Sequence, residues 1–97
     1  MKKYLFLLLL ISLLADTLVY GQGKQITGTI RDKDGALQAV SVLEKGTTNG
    51  VSTDQNGQFK LVLRGTSYVL VVSFVGYTRR EVNVANQSSV DILLTVD

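Results

Sequence analysis

From Lys24 onward the chain alternates apolar and polar residues at every second position, the period of a β-strand with one buried face. In KQITGTIR, Ile26 and Ile30 share a face with Gly28, while Thr27, Thr29 and Arg31 take the other. AVSVLEK places Val40 and Val42 together, and GQFKLVL sets Phe59, Leu61 and Leu63 against Gln58, Lys60 and Arg64. YVLVVSFV is apolar on both faces and predicts a central strand covered on each side. TRREVNVA and SVDILLTV add Val82 and Val84, then Val90, Ile92 and Leu94. No stretch after residue 22 keeps a helical period.

Turn chemistry separates these runs. Asp34-Gly35, Gly46 through Gly50, Asn56-Gly57, Arg64-Gly65 and Val75-Gly76 supply the positive φ that tight connections demand. Short strands at this spacing predict an all-β fold, a small antiparallel β-sandwich of about seven strands.

The first residues follow another pattern. Lys2 and Lys3 precede an apolar run from Leu5 through Leu14, closed by Asp16. That is the charged and apolar order of a secretory signal peptide, and the run is too short to span a bilayer comfortably. Small Gly21 suits a signal peptidase, so the expected division is a signal peptide over 1–21 and one domain over 22–97. The chain has no cysteine to acylate, which excludes a lipoprotein signal.

Composition removes most chemistry. The chain of 97 residues has 10 basic and 8 acidic side chains, and neither histidine nor cysteine. Disulfides, thiol nucleophiles, imidazole bases and the common zinc sites are therefore excluded. Arg79-Arg80 is the lone basic pair of the domain, and nucleic-acid binding calls for a clustered basic surface with stacking aromatics.

The stretch TNGVSTDQNGQFKL raises three chemical readings. Asp32-Lys33-Asp34-Gly35 and Asp54-Gln55-Asn56-Gly57 both begin like calcium loops, but their twelfth positions are Leu43 and Gly65 rather than glutamate. Gly50 is not followed by the lysine and helix of a phosphate-binding loop. No base stands where it would activate a Ser or Thr. The residues read as hairpin turns, with no catalytic, cofactor or metal site.

The order of its motifs makes the chain resemble the carboxypeptidase-regulatory-like domain, a small transthyretin-like sandwich. Such domains stand at the N-terminus of SusC/RagA-type TonB-dependent outer-membrane transporters of Bacteroidota. The resemblance runs from Ile26 to about Val96. It rests on Gly28-Thr29-Ile30-Arg31-Asp32-Lys33-Asp34-Gly35, on Val40-Ser41-Val42-Leu43-Glu44-Lys45-Gly46-Thr47, on Thr53-Asp54-Gln55-Asn56-Gly57-Gln58-Phe59 and on Ser73-Phe74-Val75-Gly76-Tyr77. It departs from the family pattern before the second strand, where proline is missing and Ala39 replaces a glycine.

The resemblance implies structural roles. Gly46, Gly50 and Gly57 would serve turns, Phe59 and Phe74 would fill the core, Tyr77 would pack after the Val75-Gly76 bend, and Asp54 would cap its own turn. It implies a non-catalytic accessory domain in the periplasm or at the outer membrane. The expected partners are the plug and barrel of a transporter or another envelope protein. Asp97 stands roughly where a transporter would continue, so either a fragment or a stand-alone copy is expected. The rival reading is an exported adhesin or glycan-binding module, with Tyr68 and Tyr77 as the aromatic candidates.

Overall fold

The computed structural model describes residues 23–97; the expected signal peptide lies outside the described residues. Eight strands form two sheets: β1 (Lys24–Asp32), β2 (Gly35–Ala36), β3 (Ser41–Glu44), β4 (Gly50–Ser52), β5 (Gln58–Leu63), β6 (Val69–Ser73), β7 (Arg80–Asn83) and β8 (Ser89–Leu93). In the first sheet β1 is central, with β2 and β5 on one side and β8 on the other. The second has the order β4-β3-β6-β7.

Alternation explains the packing between the sheets. Ile26, Ile30, Phe59, Leu61, Leu63, Val90, Ile92 and Leu94 come from the first sheet, and Val40, Val42, Leu70, Val72 and Val84 from the second sheet and its flanks. All are buried in one cluster, so apolar area removed from water is the main term holding the layers together. Gly28 lets the Phe59 ring lie across β1, because a Cβ there would stand 2.6 Å from Cε1 of Phe59.

The small all-β sandwich expected from the sequence is the fold observed, and three of its details differ. The sandwich is not wholly antiparallel: β8 runs parallel to β1, with Gly28 opposite Val90 and Ile30 opposite Ile92. Strands β2 and β4 are two and three residues long and lie in stretches that read as turns. Too short to carry an alternating pattern, they exist because β1 and β3 offer them a ladder. Finally, β6 is not covered by a layer on each side. Its outer-face Val71 is buried between Leu43 and Glu81, its neighbours in register, and the Lys45–Glu81 ion pair (2.7 Å) spans β6 beside it. The aliphatic stems of that pair do what a second layer would have done.

Ala39 adopts φ +66°, a left-handed conformation that costs an L-residue roughly 1 kcal/mol or more. Its N–H donates to Thr53 O (3.0 Å) while its side chain is exposed, so the methyl secures no packing. Ala39→Gly is therefore expected to stabilise the domain by about 0.5–1 kcal/mol, raising the melting temperature by roughly 3–6 °C. Thermal denaturation followed by circular dichroism checks it.

Candidate functional site

The motif residues separate to the two ends of the sandwich. At one end β3 finishes in Glu44, followed by Lys45, Gly46 and Thr47. Gly46 takes φ +79°, and Thr47 Oγ1 donates to Glu44 O (2.9 Å) and accepts from Asn49 N (3.0 Å). Gly50 has no room for a side chain, since a Cβ would stand 2.8 Å from Leu43 Cδ1.

Glu44 itself is fully buried, and composition and motif reading assigned it no role. Its Oε1 accepts from Asn49 Nδ2 (2.9 Å) and Arg64 N (3.0 Å), and its Oε2 accepts from Gly65 N (2.7 Å). Those donors, Arg64 N first, hold the carboxyl below its ordinary range despite burial. Asn49 Nδ2 also reaches Val62 O (2.8 Å), so the side chain ties the β3–β4 turn to β5. A carboxylate with all its donors supplied by the fold is a strut, not a free acid or base.

The opposite end gathers Asp32, Gly35, Thr53, Asp54, Gly57, Phe74, Gly76 and Tyr77. Asp32 closes β1: its Oδ1 accepts from Asp34 N (2.9 Å) and its Oδ2 accepts from Tyr77 OH (2.5 Å). Two motifs 45 residues apart are joined by that last bond. It holds the Asp32 carboxyl below, and the Tyr77 hydroxyl above, their ordinary values. Phe74 is half-buried against the core rather than inside it, and stacks on Tyr77 at 5.7 Å between centroids. Gly76, at φ +88°, makes the turn between them.

The neighbouring connection is held by side-chain oxygens. Asp54 Oδ1 accepts from Asn56 N and Gln58 N, both at 2.9 Å. Thr53 Oγ1, buried, donates to Leu37 O (2.6 Å) and accepts from Val40 N (3.0 Å). Both aspartate turns of the calcium reading thus spend carboxylate oxygens on their own backbones. Among the described residues no three acidic, histidine or cysteine side chains cluster to hold a metal.

The last residues complete this end. Thr78 N donates to Thr95 O (2.9 Å), Asp97 N donates to Gly76 O (3.0 Å), and Tyr77 pairs with Val96 in a single bridge. Val75 is 94% exposed, Val96 69% and Leu93 40%. Two depressions of about 250 and 270 Å³ flank Leu93–Thr95, one bounded by Asp32 and Lys33, the other by Arg79 and Arg80. A larger, shallow depression of about 560 Å³ lies over Thr27, Thr29, Gln58 and Lys60, without an exposed aromatic ring. Of the two candidate sugar-stacking tyrosines, Tyr77 is tied to Asp32, and Tyr68 is half-buried with Lys24 Nζ 5.7 Å from its ring centre.

Tyr77→Phe tests the junction between motifs. The Asp32 carboxyl is expected to titrate at higher pH in the variant, moving toward its ordinary value. Because the folded-state value is depressed, the contribution of Asp32 to stability is present above the unfolded pKa and fades as pH falls through the folded one. A side-chain carboxyl NMR titration of wild type and variant reads the shift directly.

The geometry defines an immunoglobulin-like two-sheet sandwich whose motif residues hold its turns and ends together. One chain of the crystal structure of an N-terminal interface mutant of the type II Cohesin–X–Dockerin complex from Acetivibrio cellulolyticus superimposes with a TM-score of 0.63, at 22% identity over 76% of this chain and 58% of that one. That likeness concerns the fold alone. The profile of the CarboxypepD_reg-like domain matches residues 26–97, and the chain belongs to that family.

Relatives carry the domain in much larger proteins. TonB-dependent receptor P39 of Formosa agariphila is 36% identical over 74 residues, which are 75% of this chain and 7% of the receptor. TonB-dependent receptor SusC of Bacteroides thetaiotaomicron is 36% identical over 72 residues, 73% of this chain and 7% of its own length. The alignment with TonB-dependent receptor P3 of Formosa agariphila covers 100% of this chain at 29% identity, and 10% of that receptor.

Proposed function

We propose that this chain is a non-catalytic accessory domain of a TonB-dependent transporter, exported through the signal peptide at 1–21 and acting in the periplasm. The observation that carries this reading is the match to several TonB-dependent receptors across nearly the whole domain, at up to 36% identity. The alignment with receptor P3 runs through the leader as well, which supports a place at the front of such a protein. The carboxylates of Asp32, Glu44 and Asp54 and the hydroxyls of Thr47, Thr53 and Tyr77 all hold turns or strands together, which supports action through surface and strand edges.

A denaturing blot of cell-envelope fractions, probed with an antibody against residues 24–97, tests the proposal. A band on the order of 100 kDa in the outer membrane is expected, following the share that relatives of this class devote to the domain. A band near 8 kDa in the soluble periplasm, about what residues 22–97 weigh, would sink it in favour of a free binding module.

A further inference from the structure

We propose that Asn56–Gly57 is a site of spontaneous backbone modification, deamidation through a succinimide, and that the fold shields the matching pair Asn49–Gly50 from the same reaction. Two of the chain's four asparagines precede glycine, the successor that crowds the reaction least because it brings no Cβ. As sequence the two pairs are alike. Their settings differ.

The reaction needs no reactant but water. The Gly57 amide nitrogen bonds to Cγ of Asn56 and gives up its proton. The Cγ–Nδ2 bond breaks, and Nδ2 takes up a proton and leaves as ammonia. Water then opens the five-membered imide at either of its carbonyls. One opening leaves aspartate at position 56; the other leaves isoaspartate, with one more methylene in the main chain. The attack requires a side-chain carbonyl free to swing onto the following N–H, and an amide free to leave.

Asn56 meets both conditions. Residues 54–56 are exposed, and among the described residues the Asn56 amide has no partner; only its backbone N–H is held, by Asp54 Oδ1 (2.9 Å). The nucleophile is held by one bond, Gly57 N donating to Asp54 O (2.9 Å), which closes a four-residue surface turn. Asn49 meets neither. It is half-buried, and its Nδ2 donates to Glu44 Oε1 (2.9 Å) and to Val62 O (2.8 Å). The first acceptor belongs to a fully buried carboxylate, so that bond is charge-assisted. Turning the amide toward Gly50 breaks both bonds and withdraws a donor from a buried charge. That costs more than opening one neutral turn bond.

The product bears on the fold. It places a second carboxylate two residues from Asp54, and the iso form lengthens the chain just before Gly57, whose O accepts from Ile30 N (2.7 Å).

The test follows both asparagines in protein purified from cells and kept folded at mildly alkaline pH. Lys45 and Lys60 bracket them, so the tryptic peptide 46–60 carries both, and its fragmentation assigns the mass gain to either residue. The same protein in urea, with both turns lost, supplies the unhindered rate of each pair. Normalised to that rate, conversion at Asn56 is expected to exceed conversion at Asn49 by at least about ten-fold. A smaller ratio, or an Asn56 that stays intact in the folded protein while the urea sample converts, would overturn the inference.

Discussion

Glu44→Ala is expected to lower the melting temperature by roughly 15 °C or more. The carboxylate is wholly buried and accepts three hydrogen bonds, from Asn49 Nδ2, Arg64 N and Gly65 N. Truncation leaves those donors facing a cavity, and a buried polar group without a partner costs about 1–3 kcal/mol. Asn49 can turn to solvent, but the two backbone N–H groups belong to the β5–β6 turn and cannot. A total of roughly 3 kcal/mol is a large share of the stability of a domain this small, and each kcal/mol moves the midpoint by about 4–8 °C.

Glu44→Gln is expected to fall between the two. Its amide oxygen can serve Asn49 and Arg64, but its NH₂ then meets Gly65 N, donor against donor. The substitution also isolates a pH effect. Since the donors hold the Glu44 carboxyl below its ordinary value of 4.5, its stabilisation is complete above that value and is lost as pH falls through the folded-state pKa. Wild-type stability should decline on acidification more steeply than that of Glu44→Gln. Asp32 and Glu81 are shifted in the same direction and contribute equally to both proteins, so the difference between the curves belongs to Glu44. Denaturant unfolding between pH 3 and 7 measures it; parallel curves would show that the carboxylate is not anchored by these donors.

Glu44 also shows what a sequence of this kind makes legible. The alternation of Val40, Val42 and Glu44 already assigns all three to one face, and a charged residue at an inward position is a readable anomaly. Its partners are not readable, because Arg64 and Gly65 lie 20 and 21 residues away and their meeting depends on the fold being complete. The inward residues of β1, β5 and β8 could be read because each strand carries its own period. The parallel pairing of β1 with β8 could not, since register between strands some sixty residues apart leaves no local trace. The two-faced apolar run of β6 predicted a second layer, and a single ion pair took its place.

Gly57→Ala is the second substitution with a large expected effect, and Gly76→Ala is the control that gives it meaning. Both glycines hold left-handed backbone, with φ +72° and +88°, so both alanines bear a similar conformational cost of roughly 1 kcal/mol. Their surroundings differ. A Cβ at Gly76 meets nothing within 4 Å, whereas a Cβ at Gly57 would stand 2.4 Å from Ile30 O, with Leu37 N at 3.2 Å. Those are backbone atoms, not flexible side-chain ends. Ile30 O already accepts from Leu37 N (3.0 Å), and Ile30 N donates to Gly57 O (2.7 Å), so relieving the clash strains both bonds and parts β1 from the turn that starts β5. Gly57→Ala is therefore expected to cost about 3 kcal/mol or more, against roughly 1 kcal/mol for Gly76→Ala. Urea unfolding of the two variants side by side measures the difference. Equal losses would mean that the close approach to Ile30 carries no weight, and that Gly57 is there for its dihedral angle alone.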